Sequence, residues 1–219
     1  MDFIIQEFSK LDTTCVSDAC DKLGIRTVME GIKPVFHGNK ICGKAFTVKY
    51  EACGSVKGTV GDFLDDVKPG EIVAIDNGGR TNGTVWGDIM SIVANKNNVG
   101  GTVIDGVCRD LPKIRELKYP IFSKGYNVVT GKDRYEVTQV NGSITIDKIR
   151  VNQGDIILGD DTGVLCIPSE RAEEVLAIAK KIDEIEGEIE KAVLSGMSLK
   201  EAREKTGYHH LQTKGEKIQ

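Results

Sequence analysis

The feature that most constrains this chain is the alternation of short β-branched runs and helical segments between residues 71 and 123. Glu71–Asp76 (Glu-Ile-Val-Ala-Ile-Asp) reads as a short buried strand entered from the turn Val67-Lys68-Pro69-Gly70. A helix starts near Trp86-Gly87-Asp88, carries Ile89, Met90, Ile92, Val93 and Ala94, and ends at Asn97-Asn98-Val99-Gly100. Thr102–Asp105 is a second strand, the stretch from about Leu111 to Leu117 a second helix, and Tyr119–Ser123 a third strand. This order calls for parallel strands joined by helical crossovers. In open sheets of that kind, ligands collect beyond the C-terminal ends of the strands.

The flanks have a different texture. Thr13 or Thr14 can cap a helix running through Val16–Leu23, which Gly24 stops. Ile41–Tyr50 alternates imperfectly and predicts a strand. Beyond about Gly131 come short strands, Tyr135–Val140, Ser143–Ile146, Asp155–Leu158 and Gly163–Ile167, separated by Asn-Gly, Gln-Gly-Asp and Asp-Asp-Thr-Gly turns. A long helix comes next, from roughly Ser169 to Leu194, with Val175, Ile178, Ile182, Ile185, Ile189 and Val193 at helical spacing and a Lys/Glu outer face. Ser198–Lys205 adds a short helix with a capping-box start. With no repeat or linker, residues 1–219 read as one α/β domain, with a core at about 13–168 and C-terminal helices at about 169–206.

Composition removes several classes of function. A net charge of −4 argues against a nucleic-acid surface. No segment reaches the ~18 apolar residues of a membrane span, and the N-terminus lacks the pattern of a signal peptide. The six cysteines, Cys15, Cys20, Cys42, Cys53, Cys108 and Cys166, form no Cys-x-x-Cys pair and sit among apolar neighbours. That usage predicts free thiols in a reducing, cytoplasmic compartment. Three histidines, His37, His209 and His210, speak against a His-rich zinc site; the last two read as a solvated tail.

The chemistry concentrates in two places. Gly100–Asp110 ends a β-branched run in Asp105-Gly106 and then sets Arg109 beside Asp110. A guanidinium can clamp a carboxylate with two hydrogen bonds, and a carboxylate can hold a hard cation. The same pair also reads as a surface ion pair of little energetic weight. Upstream, Asp88 reads either as a first-turn acid suited to the helix dipole or as part of a site. For the latter, Gly78, Gly79 and Gly83 would let backbone approach a ligand, and the amides of Ile89 and Met90 would cradle an anion. Cys108 as a nucleophile lacks a neighbouring base in sequence. Glu184, Glu186, Glu188 and Glu190 read first as helix-surface acids.

Trp86-Gly87-Asp88-Ile89-Met90, with Gly101–Asp110 downstream, resembles the RraA-like family, which includes the regulator of ribonuclease activity A and the class II 4-hydroxy-4-methyl-2-oxoglutarate/4-carboxy-4-hydroxy-2-oxoadipate aldolases. Thr14–Ala19 with Leu23-Gly24, and Ile41–Val48, are similar to that family's N-terminal helix and first core strand. The resemblance implies a three-layer β/β/α swivelling-domain fold with a C-terminal helical extension, assembled as a homotrimer or homohexamer with sites between subunits. It implies a Mg²⁺ or Mn²⁺ cofactor on Asp110, with water and substrate filling the other positions. Arg109 would bind the substrate's oxo or hydroxyl oxygen and its carboxylate. Gly87, Asp88, Ile89 and Met90 would form the pyruvyl pocket, Asp88 orienting a water. Glu186, with Glu184 and Glu188 as rivals, would reach the site of a neighbouring subunit. The implied activity is metal-dependent cleavage of a small 4-hydroxy-2-oxo acid to pyruvate, with oxaloacetate decarboxylation at the same site. The alternative within the family is a non-catalytic regulator that binds a ribonuclease.

Overall fold

A computed structural model describes residues 2–55 and 61–208. The chain runs α1 (Phe3–Phe8), α2 (Thr13–Lys22), β1 (Lys33–Pro34), β2 (Ile41–Ala52), β3 (Ile72–Thr84), α3 (Asp88–Lys96), β4 (Gly101–Cys108), α4 (Leu111–Leu117) and β5 (Ile121–Tyr126). It continues through β6 (Tyr135–Val140), β7 (Ile144–Ile146), β8 (Ile149–Val151), β9 (Ile156–Gly159), β10 (Val164–Ile167), α5 (Ala172–Leu194) and α6 (Leu199–Thr206).

The expected crossovers are present. β2, β3, β4 and β5 are parallel neighbours, and α3 and α4 make the connections from β3 to β4 and from β4 to β5. Every residue of β4 is buried, as a strand covered on both faces must be. Val73, Ile75, Ile104 and Cys108 face the helices, where Trp86, Ala94, Ile114 and Tyr119 complete one core. Ala74, Val103 and Phe122 face the other way, onto Ile157, Val164 and Cys166 of β9 and β10 and onto the β7–β8 hairpin.

The long strand β2 joins the two sheet layers. Its first residues, Ile41–Lys44, pair antiparallel with β9, while Val48–Ala52 pair antiparallel with β6. β9 and β10 thereby fold under the parallel sheet, and their outer face packs against α1, α2 and α5 through Phe8, Val16, Leu158, Leu165, Val175 and Ile182. α3 and α4, the parallel sheet and β9–β10 make the expected three-layer β/β/α core, and α1, α2 and the C-terminal helix α5 add a further helical layer on the side away from α3 and α4. Val175 and Ile182 of α5 pack into the core shared with α2, flanked by the partly buried Ile178 and Ile185, as the periodicity predicts; Ile189 is buried further along, and Val193, at the end of the stripe, is exposed. Among the described residues no helix is long and apolar enough to cross a membrane.

Four details differ from expectation. α1, β1 and β8 carried too little periodic signal to be anticipated. Asn77–Gly83, whose glycines read as a loop between β3 and α3, belongs to β3, which continues to Thr84 through two irregularities in its pairing with β4. The register runs from Asp76↔Asp105 to Arg80↔Gly106 to Thr84↔Val107, so β3 twice advances four residues while β4 advances one. Such bulges bend a strand and re-aim the chain beyond them. Gly78 and Gly79, at φ +59° and +70°, supply the left-handed backbone this requires.

Gly43 marks where the layers come closest. A Cβ there would sit 2.3 Å from the Gly70 carbonyl oxygen. Gly43→Ala should therefore cost about 1–3 kcal/mol in urea denaturation, the range for overpacking a rigid interior. Gly54→Ala, with open space around it, should stay within about 0.5 kcal/mol of the parent.

Candidate functional site

A cleft of about 440 Å³ opens at the C-terminal end of the parallel strands. Its walls come from the end of β3 and the turn after it (Thr84–Gly87), the start of α3 (Asp88, Ile89, Met90), Arg109 after β4, and the segment Thr130–Asp133. Asp62 also lines it. A volume of this order suits a small ligand.

The local chemistry arises from how the two crossover turns meet. As β3 and β4 leave the sheet they stay tied: Val85 N donates to Val107 O (3.3 Å) and Arg109 N to Trp86 O (3.0 Å). Trp86 is buried, stacks on Tyr119 with ring centroids 5.9 Å apart, and donates its indole N–H to Ser91 Oγ at 2.8 Å. Ser91 Oγ in turn donates to Gly87 O at 2.8 Å. The start of α3 is thus locked against the end of β4.

Asp110 sits where these turns touch. Its backbone is left-handed, φ +62° and ψ +38°, a conformation that Asp tolerates better than most residues. Although it precedes α4, its side chain does not cap that helix. Instead Oδ2 accepts from Asp88 N at 3.2 Å, so Asp110 caps α3 from the neighbouring crossover turn. The same oxygen lies 3.3 Å from Arg109 Nε. Gly87, the N-cap residue of α3, has no side chain with which to cap, and a Cβ there would fall 2.7 Å from Asp110 Oδ2. Only glycine lets the carboxylate in.

Both contacts of Asp110 fall on Oδ2, which leaves Oδ1 without a partner among the described residues. A half-exposed carboxylate oxygen of this kind is a hard-cation donor. No group of three or more His, Cys, Asp or Glu side chains among the described residues could hold a metal ion. A site built on Asp110 fits a divalent cation that keeps most of its coordination for water and ligand oxygens, as Mg²⁺ does.

The first turn of α3 offers less than its sequence suggests. Ile89 N donates to Asp88 Oδ1 at 2.8 Å, and Asp88 N serves Asp110. The Met90 amide remains as the donor with no partner among the described residues, at the positive end of the helix dipole.

Other expectations are sorted by distance from the cleft. Asp88, Gly87, Ile89, Met90 and Arg109 all line it, with Asp110 bonded to the Asp88 amide. The bulge glycines do not: Gly78 lies under the Arg80 guanidinium, Gly79 faces Lys124 and Asp105, and Gly83 faces the Tyr135 ring. Their glycines relieve packing within the chain rather than admit a ligand. Cys108 is buried in the helix-side core, and burial pushes its thiol up to about 11, which removes it as a nucleophile. All six cysteines are free. Glu186 is on α5, where burial and the charges of Asp18 and Asp183 raise its carboxyl pKa. It does not line this cleft, nor do Glu184 and Glu188. His209 and His210 lie outside the described residues. Sequence reasoning missed Asp62 and the wall Thr130–Asp133, which have no local motif: the wall reaches the cleft by folding back onto Thr84, and the turn that bears Asp62 packs against α3.

The chain is similar to known proteins over most of its length. A model of the RraA-like family, described as Aldolase/RraA, matches residues 13–166. The chain is 36% identical over 204 residues to Protein DlpA of Legionella pneumophila, covering 92% of this chain and only 33% of DlpA, a third of that relative's length. It is 32% identical over 181 residues to a protein of Halalkalibacterium halodurans that bears the name of a candidate 4-hydroxy-4-methyl-2-oxoglutarate aldolase, covering 83% of each. A solved structure from Pseudomonas syringae pv. tomato superposes with a TM-score of 0.86 at 36% identity, covering 91% of this chain and 96% of that one. With the fold, the paired turns and these likenesses together, the chain belongs to the RraA-like family.

Proposed function

We propose that this protein is a divalent-cation-dependent carbon–carbon lyase that releases pyruvate from 4-hydroxy-2-oxo acids of the 4-hydroxy-4-methyl-2-oxoglutarate type, and decarboxylates oxaloacetate at the same site. The observation that carries this reading is the Asp110 carboxylate, with one oxygen tied to Arg109 and the first amide of α3, two elements of the cleft wall, and the other oxygen unpartnered among the described residues. The name of the Halalkalibacterium halodurans relative supports it.

Asp110 would hold Mg²⁺ or Mn²⁺, which when bound supplies Lewis acidity at the substrate's 2-oxo oxygen. Arg109, held in place by Asp110, places fixed positive charge where the departing bond leaves negative charge. The Met90 amide, joined by the Ile89 amide once Asp88 turns to a water, binds the carboxylate next to the keto group. In the aldol cleavage the C3–C4 bond breaks, its electron pair stays on C3, and C4 becomes the carbonyl of the second product. The proton leaving the C4 hydroxyl passes to a water held by Asp88, and a proton returns through that water to C3. Trp86, Val85 and Met90 form the apolar floor that limits solvent at this point.

Glu186 belongs to this scheme only through a second copy of the chain, since its own α5 packs against α2 and β9–β10. A homotrimer or homohexamer with sites at the subunit interfaces would bring it to a neighbour's cleft.

Two outcomes are expected. Pyruvate release from oxaloacetate and from 4-hydroxy-4-methyl-2-oxoglutarate, monitored by coupled lactate dehydrogenase, should require Mg²⁺ or Mn²⁺. It should stop with EDTA and fall to background in Asp110→Ala, while Arg109→Ala should lower kcat/KM about 100- to 1,000-fold. A blank assay with both metals would overturn the lyase reading and leave a role in binding another protein. Separately, Gly87→Ala should push the Asp110 carboxylate from its place, weakening Mn²⁺ binding at least tenfold by calorimetry while leaving the melting temperature near that of the parent; unaltered Mn²⁺ affinity would remove Asp110 from the metal site.

A further inference from the structure

A second cavity, of about 490 Å³, lies at the other end of the parallel strands from the cleft. It is framed by the start of α1 (Asp2, Ile5), the start of β2 (Cys42–Lys44), the turn that leads into β3 (Pro69–Glu71) and Asn98, just ahead of β4. Ile5 is buried, and the Cys42 thiol donates to Ile5 O at 3.4 Å, so α1 is fixed to β2 along one side of the opening. Burial pushes that thiol up to about 12, which makes it lining rather than a reactive group. At the lip, Lys44 Nζ meets Asp2 Oδ2 at 2.8 Å, and both side chains are half exposed.

α1 also carries a side chain that its own fold leaves outside. Ile5 and Phe8 pack into the core shared with α2 and α5. Phe3, between the cavity residues Asp2 and Ile5, is 69% exposed, while the other five phenylalanines are buried or half-buried. The Lys180 ammonium sits 6.0 Å from the Phe3 ring centroid and is itself paired with Glu7, so the ring is held at the surface rather than tucked in. A single exposed apolar side chain is ordinary. One presented beside a cavity by the same short helix supplies both halves of a contact, a plug and a socket. That is what a two-fold interface requires, in which each copy offers the other the same surface. The lip has the same property. An acid and a base side by side can exchange partners across a two-fold axis, Asp2 of each copy with Lys44 of the other, at small cost because exposed ion pairs carry little energy. A small molecule in the cavity would leave the ring beside it unexplained.

From this juxtaposition, and resting on the subunit assembly proposed above, we infer that α1 and the cavity form a two-fold contact between copies of this chain: the Phe3 ring of each enters the cavity of the other, and the Asp2–Lys44 pairs re-form across the interface. Two phenylalanines bury about 300–500 Å², short of the roughly 1,000 Å² of a stable pair. The contact therefore works in multiples, three of them joining two trimers into a hexamer, where each linked contact strengthens the next. Because the cavity and the cleft lie at opposite ends of the strands, the joined trimers keep their clefts open.

The test measures the mass of the full chain in solution by light scattering, for the parent, Phe3→Leu and Phe3→Asp. The parent and Phe3→Leu should run as hexamers, and Phe3→Asp as a trimer of half the mass. An acid in the first turn suits the dipole of α1, so the far-ultraviolet circular dichroism and the thermal melt of the Phe3→Asp trimer should show the same fold. A photo-crosslinking benzoyl group placed on the ring at position 3 should give covalent dimers, with the joined peptide containing Cys42 or Pro69 of the other chain. A parent trimer, a Phe3→Asp hexamer, or crosslinks confined to a single chain overturns the inference and leaves the trimer standing. A parent monomer overturns both.

Discussion

The site depends on one side chain facing away from its own helix. Asp110 starts α4, yet it hydrogen bonds to the first amide of α3 and braces Arg109. Three constraints make this possible. The backbone at Asp110 is left-handed, which turns the carboxylate back toward α3. Gly87 leaves room for it. The Trp86–Ser91–Gly87 bonds and the stacking of Trp86 on Tyr119 keep α3 from drifting away. Strained backbone of this kind persists only where the surroundings over-determine it, and here the two crossovers clamp it from both sides. The strain is coupled to what the residue offers: one oxygen is committed to the protein, and the other is left for a ligand.

The rest of the fold gives that turn its rigidity. The parallel strands β2 to β5 are covered on one face by α3 and α4 and on the other by β9, β10 and the β7–β8 hairpin. Strands buried on both faces cannot shift register without exposing a full row of apolar side chains. The bulges in β3 then carry the chain beyond the regular sheet, so that Thr84–Trp86 lies beside Val107–Arg109 although the ladder is broken twice before it. The segment after β5 docks on that same extension through Thr84. One strand end therefore anchors two walls of the cleft.

Much of this was legible. The crossover pattern between residues 71 and 123 predicted the parallel sheet, and the residues flanking its strand ends, Gly87, Asp88, Ile89, Met90, Arg109 and Asp110, do gather at one place. They were readable because each lies at a strand–helix junction, where local pattern and ligand geometry coincide. The bulge glycines misled, because a run of glycines looks the same whether it admits a ligand or absorbs extra strand residues. The availability of the helix amides was also hidden: that Ile89 N turns to Asp88 Oδ1 is a matter of rotamer and distance, not of residue type. The wall Thr130–Asp133 and Asp62 had no signal, since neither sits in a periodic element that points to the site.

The sequence by itself determined the alternation of strands and helices, the buried stripe on α5 and the identity of the charged pair at the end of β4, because these depend on periodicity and on neighbours along the chain. Only the tertiary structure decided which oxygen of Asp110 is spent, which amide of α3 is left, and which segment walls the cleft. Those outcomes rest on contacts between residues 22 to 46 positions apart, Asp88 with Asp110 and Thr84 with Val129 and Thr130, and no local pattern encodes the distance between two turns that meet only when the sheet has formed.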